Sequence, residues 1–298
     1  MTDPLQTILL TGASSGVGLA LSRLLVPLQR YCLILTARAT SIPRFAEAGI
    51  HETDRIRLRP LDVTDDDQRV AVVDEALRDW DGVDTLVNNA GIAYRAVVEH
   101  VTDAERMEQM GINFRGPMAL ARLVLPSMRA KRAGRIINVS SVGGMMAMPT
   151  MPLYSASKFA LEGATEALSY EVRPFGIYVT LIKPGFINSS SFQNTHYTSQ
   201  AAHSENDPAD PYHHHYRNMA PFIERTMGLS LATPEKVARR ILHTLQRRRP
   251  PLRVAGTPDA VIFDLLRRFL PRRLYHAMLY RSLPGIRTWG REGPHDAT

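Results

Sequence analysis

Thr11-Gly12-Ala13-Ser14-Ser15-Gly16-Val17-Gly18 decides the fold of this chain through what stands on either side of it. The apolar run Thr7-Ile8-Leu9-Leu10 leads straight into it, and a helical pattern from Leu19 to Leu25 follows. Glycines between a strand and a helix permit a tight turn and let the backbone approach a pyrophosphate, whose charge is met by free N–H groups and the positive end of the helix. Three glycines alone make only a turn; flanked in this way they indicate a dinucleotide site. Gly12, Ser14, Ser15, Gly16, Val17 and Gly18 are its candidate phosphate-binding residues.

Outward from this loop, short β-rich runs alternate with helical patterns. The strands are expected at Thr7 to Thr11, Tyr31 to Thr36, Arg55 to Pro60, Val83 to Asn88, Arg135 to Ser140 and Ile177 to Lys183, with a seventh around Leu252 to Ala255. Strands separated by helix-length segments imply right-handed βαβ crossovers, hence an α/β, doubly wound, Rossmann-type parallel sheet of seven strands with helices on both faces. Helix starts are marked by Thr102-Asp103-Ala104-Glu105, a capping box, and by Thr233-Pro234-Glu235, with threonine as N-cap and proline in the first turn. Between Asn188 and Leu231 the periodicity dissolves into Ser, Asn, His, Pro and Asp, which is the expected substrate loop or lid at residues 188–231. Residues 1–256 thus form one cofactor-binding and catalytic domain, and 257–298 a basic helical extension of it, with no internal repeat and no linker.

Composition sets the class. The chain has 298 residues, 44% hydrophobic and 22% charged, which suits a globular protein and excludes disorder or a fibrous repeat. Its one cysteine, Cys32, sits in an apolar run and rules out an internal disulfide framework, so a reducing compartment is expected. No basic-then-apolar leader precedes the first strand, and no apolar stretch approaches a membrane span, so the expected location is cytoplasmic. The formal charge of +7 is concentrated from Lys236 onward, where 14 basic residues face 4 acids, leaving the body mildly acidic. That distribution, without interleaved stacking aromatics, argues against nucleic acid.

Cofactor choice rests on the end of the second strand, Thr36-Ala37-Arg38, where NAD enzymes of this fold usually carry an acid for the ribose 2′-hydroxyl. An arginine pairs instead with a 2′-phosphate, so NADP(H) is preferred, with NAD(H) as the alternative. The chemistry is indicated by Tyr154-Ser155-Ala156-Ser157-Lys158, in which tyrosine and lysine stand one turn apart on a helix face. A fixed ammonium beside a phenol favours the phenolate and brings a group that titrates near 10 toward working pH.

With these motifs together, the chain resembles the short-chain dehydrogenase/reductase family over nearly its first two thirds. The glycine loop, Asp62-Val63, Asn88-Asn89-Ala90-Gly91, Asn113, Ser141, Tyr154 with Lys158, and Pro184-Gly185 fall in the family's order. The resemblance implies that Tyr154 exchanges a proton with the reacting oxygen, and that Lys158 lowers its pKa and bonds the nicotinamide ribose. It implies that Ser141 hydrogen-bonds the reacting oxygen and that Asn113 holds a water linking Lys158 to solvent. Asp62 and Val63 would contact the adenine, Asn89, Ala90 and Gly91 would line the cofactor, and Pro184, Gly185, Ile187 and Ser189 would face the nicotinamide. Ser189 departs from the frequent threonine but keeps the hydroxyl.

The C-terminal third is less specific. His213-His214-His215, with His196 and His203, cannot all face one ion on a regular element, so a solvated loop is expected and no metal site. From Asp259, the residues Val261, Ile262, Leu265, Leu266, Phe269 and Leu270 form a helical stripe broken by Pro271, followed by Leu274, Tyr275, Met278 and Leu279. Such helices dock on the body or a partner subunit, cover a hydrophobic substrate, or touch anionic lipid through their arginines. Met145, Met146, Met148 and Met151 fall where the family's substrate pocket lies and suit a bulky apolar ligand. The expected function is NADPH-linked reduction of a hydrophobic ketone or aldehyde by a homodimer or homotetramer. Its rivals are NAD-linked oxidation of an alcohol, or a cofactor-binding regulatory or scaffold protein without turnover.

Overall fold

A computed structural model of the protein describes residues 5–189 and 195–290; residues 190–194 of the expected lid and 291–298 of the extension lie outside them. Seven strands form one parallel sheet: β1 (Gln6–Leu10), β2 (Tyr31–Ala37), β3 (Ile56–Pro60), β4 (Thr85–Asn88), β6 (Gly134–Val139), β7 (Ile177–Lys183) and β9 (Arg253–Ala255). A separate two-stranded pair joins β5 (Tyr94–Arg95) to β8 (His196–Tyr197). The helices are α1 (Gly16–Leu25), α2 (Pro43–Glu47), α3 (Asp66–Trp80), α4 (Asp103–Met110), α5 (Gly116–Lys131) and α6 (Pro152–Val172), then α7 (Ser199–Asn206), α8 (His213–Gly228), α9 (Pro234–Gln246), α10 (Pro258–Phe269) and α11 (Arg272–Ser282).

The strand order β3-β2-β1-β4-β6-β7-β9 reverses direction between β1 and β4. That reversal opens the crevice in which ligands of this fold class bind, at the carboxyl ends of the strands. Alternation within each strand supplies both faces. Ile8, Leu10, Leu33, Leu35, Ile137 and Val139 pack with α1 and α9 on one side, while Leu9, Ile34 and Ile136 pack with α3 and α5 on the other. Because both faces are covered, the inner strands β1 and β2 read as continuous apolar runs.

Local signals act as expected. Thr102 and Glu105 close a capping box on α4, and the Thr233 hydroxyl accepts from the Lys236 N–H at the start of α9. The expected irregular loop is different: most of 195–231 is helical. Thr198 caps α7 by accepting from Ala201 N–H, and α8 buries Tyr216, Met219, Ala220 and Ile223, a clean i, i+3, i+4, i+7 stripe. Three histidines and an internal Pro221 mask that stripe in the sequence, and Pro221 also removes one backbone bond from the helix. The histidines accordingly do not form a solvated loop but the half-buried first turn of α8, with His213 Nδ1 3.1 Å from the Ser204 carbonyl oxygen and the His215 ring 4.3 Å from that of Trp289.

Candidate active site

The glycine loop bends where it must. Gly12 and Gly16 have φ of +63° and +51°, values that side chains with a Cβ tolerate poorly. A Cβ on Gly18 would lie 2.0 Å from the Gly12 carbonyl oxygen, so only glycine lets α1 seat against the loop this closely. Ser15, the N-cap of α1, makes no side-chain cap bond, leaving the first-turn N–H groups for an anion. Thr11 locks the loop to the end of β4: its hydroxyl accepts from Asn89 N–H and Ala90 N–H, both at 3.0 Å, and Asn89 Nδ2 donates to the Thr11 and Gly12 carbonyls. The space before α1 and the free donors fit a pyrophosphate.

Arg38 directly follows β2, exposed, and no ion pair or hydrogen bond among the described residues engages its guanidinium. Asp62 follows β3; its carboxylate accepts from the Thr64 N–H and hydroxyl, while the cap of α3 is Asp65. Val63 is buried against Gly116. The turn Pro184 to Ser189 is pinned by residues that sequence reasoning missed: Gly185 N–H donates to Thr257 Oγ1 at 2.7 Å and Phe186 N–H to Asp259 Oδ2 at 2.8 Å. Ile187 packs into the core beneath it. The start of α10 therefore shapes this loop, a long-range contact with no local sequence signal.

The four candidate catalytic residues converge at the carboxyl ends of β4 and β6. Asn113 is fully buried inside a five-residue π-helical segment, Gly111–Arg115. Its side chain clamps Ile92, accepting from the N–H and donating to the carbonyl at 2.9 Å each, and donates to Ser157 Oγ at 3.0 Å. Ser157 in turn donates to the Tyr154 carbonyl. The point where a Cβ would stand on Gly91 is 3.2 Å from Asn113 Oδ1 and 3.7 Å from Lys158 Nζ, so both polar groups lie close beside Gly91.

Lys158 is buried and donates to the Val139 carbonyl at 3.0 Å. Burial pushes its ammonium down to about 8, opposed by the Glu162 carboxylate. Glu162 is a further buried residue missed from sequence; burial raises its pKa, and it accepts from Ser140 Oγ at 2.9 Å. Burial also raises the Tyr154 phenol above its ordinary range, against a smaller downward pull from the hydrogen bond with Ser141. The lowering expected from the tyrosine–lysine spacing is thus not what this geometry gives. The ammonium is committed to Val139, 5.8 Å from the centre of the Tyr154 ring, and desolvation wins.

Gly143 is another residue the sequence did not single out. Its N–H donates to Ser141 Oγ at 3.0 Å, and a Cβ there would lie 2.9 Å from Tyr154 Cε1. Gly143→Ala is expected to displace the ring and, since misplacement by about 1 Å costs on the order of 100-fold, to lower kcat by roughly tenfold or more with nucleotide affinity unchanged. Steady-state kinetics beside nucleotide titration checks this, and an unaltered kcat would show that the ring has room to move.

Around Tyr154 the walls are apolar. Met151, Met219 and Ile223 form a buried cluster with Met148, Phe186 and Met227, which Leu283 and Trp289 complete from the C-terminal segment. The expected methionine pocket is therefore divided. Met148 and Met151 face this cluster, whereas Met145 packs in a different one under Ala260 and Phe263 of α10. Among the described residues no group of His, Cys, Asp and Glu could hold a metal, and no helix is long and apolar enough to cross a membrane.

Known proteins are similar to this chain in sequence and fold. A profile described as short chain dehydrogenase matches residues 6–200. The chain is 34% identical over 267 residues to the 3-ketodihydrosphingosine reductase of Bacteroides thetaiotaomicron, covering 89% of this chain and 93% of that one. It is 32% identical over 255 residues to retinol dehydrogenase 8 of Homo sapiens, covering 83% and 80%. A solved short-chain dehydrogenase from Streptomyces avermitilis superposes with a TM-score of 0.76 at 30% identity, over 94% of this chain and 98% of that one.

Proposed function

The chain belongs to the short-chain dehydrogenase family, an NAD(P)-dependent oxidoreductase, and from that premise we propose that it reduces a long, apolar ketone or aldehyde with NADPH. The observation that carries the substrate class is the apolar cluster of Met148, Met151, Phe186, Met219 and Ile223 around Tyr154. Two relatives are named for lipid-like substrates, 3-ketodihydrosphingosine and retinol, and the same kind of carbonyl suits these walls.

The glycine loop from Gly12 to Gly18 would receive the pyrophosphate, Arg38 the 2′-phosphate, Asp62 and Val63 the adenine end, and Asn89 to Gly91 with Pro184, Gly185, Ile187 and Ser189 the nicotinamide half. When bound, the cofactor supplies the hydride. Tyr154 Oη gives its proton to the carbonyl oxygen as that oxygen gains charge, and Ser141 Oγ hydrogen-bonds the same oxygen. The raised pKa keeps the phenol protonated at neutral pH, the form that donates in the reductive direction. Lys158 would hold the ribose side of the cofactor, and Asn113, which lies beside Gly91 with the Lys158 ammonium, would hold a water that returns a proton toward Tyr154. A scaffold protein that only bound the nucleotide would have no use for Ser141 and Tyr154 together.

The cofactor preference is tested by titrating wild type and Arg38→Ala with NADPH and NADH. A charge-assisted pair with phosphate is worth about 1.5–3 kcal/mol, so NADPH binding is expected to weaken by roughly tenfold or more in the variant while NADH binding holds. Equal affinity of wild type for both nucleotides would move the NAD-linked, oxidative alternative to the front.

A further inference from the structure

We propose that α10 and α11 form a docking surface for an anionic lipid bilayer, on which the enzyme lies with its substrate cleft beside the membrane. α10 turns Ala260 and Phe263 inward against Val142 and Met145. Its opposite face carries Val261, Ile262, Leu265 and Phe269, exposed by 45%, 57%, 47% and 72%. At 100° per residue these four lie within one arc of the helix. Leu274 and Met278, one turn apart on α11, add 53% and 36% exposed apolar side chains.

Charge selects the occupant. Arg268, Arg272, Arg273 and Arg281 are exposed on these two helices, Arg268 over the Phe269 ring at 5.6 Å, and none has an ion-pair partner among the described residues. The acids of α10 are both committed to the body: Asp259 accepts from Phe186 N–H, and Asp264 pairs with the buried Lys183 at 3.0 Å. Large apolar side chains accompanied by arginines without acidic partners are what lets a helix rest in the headgroup region of an anionic membrane. A second copy of the chain is a poorer match, because a two-fold contact through this face would bring arginines against arginines. Neither helix has the length to span a bilayer, so the contact is a surface one.

The same segment closes the cleft. Leu283 and Trp289, which follow α11, pack into the apolar cluster that contains Tyr154. A docked enzyme would hold the cleft wall at the membrane, where a lipid-borne carbonyl resides; that consequence rests on the proposed function, whereas docking itself does not.

The test is co-sedimentation of the full chain with vesicles of phosphatidylcholine, alone or mixed with phosphatidylglycerol. Binding to the mixed vesicles is expected to exceed binding to phosphatidylcholine by roughly tenfold or more and to fall with salt. It should be lost in Ile262→Asp with Phe269→Asp, and equally in Arg268→Glu with Arg272→Glu and Arg273→Glu, while melting temperature and NADPH affinity stay at wild-type values. Protein that remains in the supernatant with mixed vesicles, or binding indifferent to both variants, overturns the proposal. A wild-type dimer that the Ile262 and Phe269 substitutions convert to monomer, with no vesicle binding, assigns the face to a second copy and overturns it too. Loss of docking with NADPH preference intact would leave the proposed function standing.

Discussion

Tyr154→Phe is expected to lower kcat for carbonyl reduction by about 10²–10⁴-fold, the usual share of a positioned general acid, while NADPH affinity and thermal stability stay near wild type. The phenol ring sits against Gly143 and keeps that contact in phenylalanine. What is lost is the hydroxyl with its proton and its hydrogen bond to Ser141. The phenol pKa lies above its ordinary value, so the donor form persists through neutral pH and the wild-type rate of reduction should not fall between neutral and mildly alkaline pH through loss of this proton. NADPH consumption with a panel of apolar ketones, measured for wild type and variant at equal nucleotide saturation, decides it. A variant within tenfold of wild type would mean that another group supplies the proton, and a wild type that binds NADPH without turnover on the panel would favour the cofactor-binding scaffold.

The sheet was legible because its inner strands are buried on both faces and some of its helices, α4 and α9 among them, begin at strong caps. Val87 and Ile137 are apolar wherever the sheet needs them, and Thr102 with Glu105 announces α4 without tertiary help. The candidate site was legible for a related reason: Gly12, Gly18, Tyr154 and Lys158 are fixed by short-range spacing on a turn or one helix face, and the family resemblance those motifs carry brings in Ser141. What stayed hidden depends on distance along the chain. Thr257 and Asp259 hold Gly185 and Phe186 from more than seventy residues away, and Gly143 matters only because the Tyr154 ring folds back onto it. α8 was hidden differently. Its stripe of Tyr216, Met219 and Ile223 has helical spacing, but poor helix formers surround it, and the helix is held by burial and by Tyr216, whose hydroxyl accepts from Val97 N–H at 2.9 Å. The direction of the Tyr154 shift could not be read from spacing either, since burial and the competing Val139 carbonyl are properties of the folded chain.

Lys158 makes the last expected result, a stability that rises with pH. Its ammonium falls from an ordinary 10.5 to about 8 through burial, so the folded protein releases this proton before the unfolded chain does. Below pH 8 both states hold the proton, and the folded state bears the full cost of the buried charge. Between about 8 and 10.5 only the unfolded chain binds it, so the slope of unfolding free energy against pH is positive there. At about 1.4 kcal/mol per unit, the interval amounts to about 3 kcal/mol. Other groups titrate over the same range, but Lys158→Met shares them, and its lost bond to Val139 is a constant offset. In urea unfolding without added nucleotide, the wild-type minus Lys158→Met difference is therefore expected to move toward wild type by about 3 kcal/mol from pH 7.5 to 10.5. A flat difference would mean that the lysine keeps its ordinary pKa in the fold, and with it a charged partner or solvent access that the Val139 carbonyl alone does not provide.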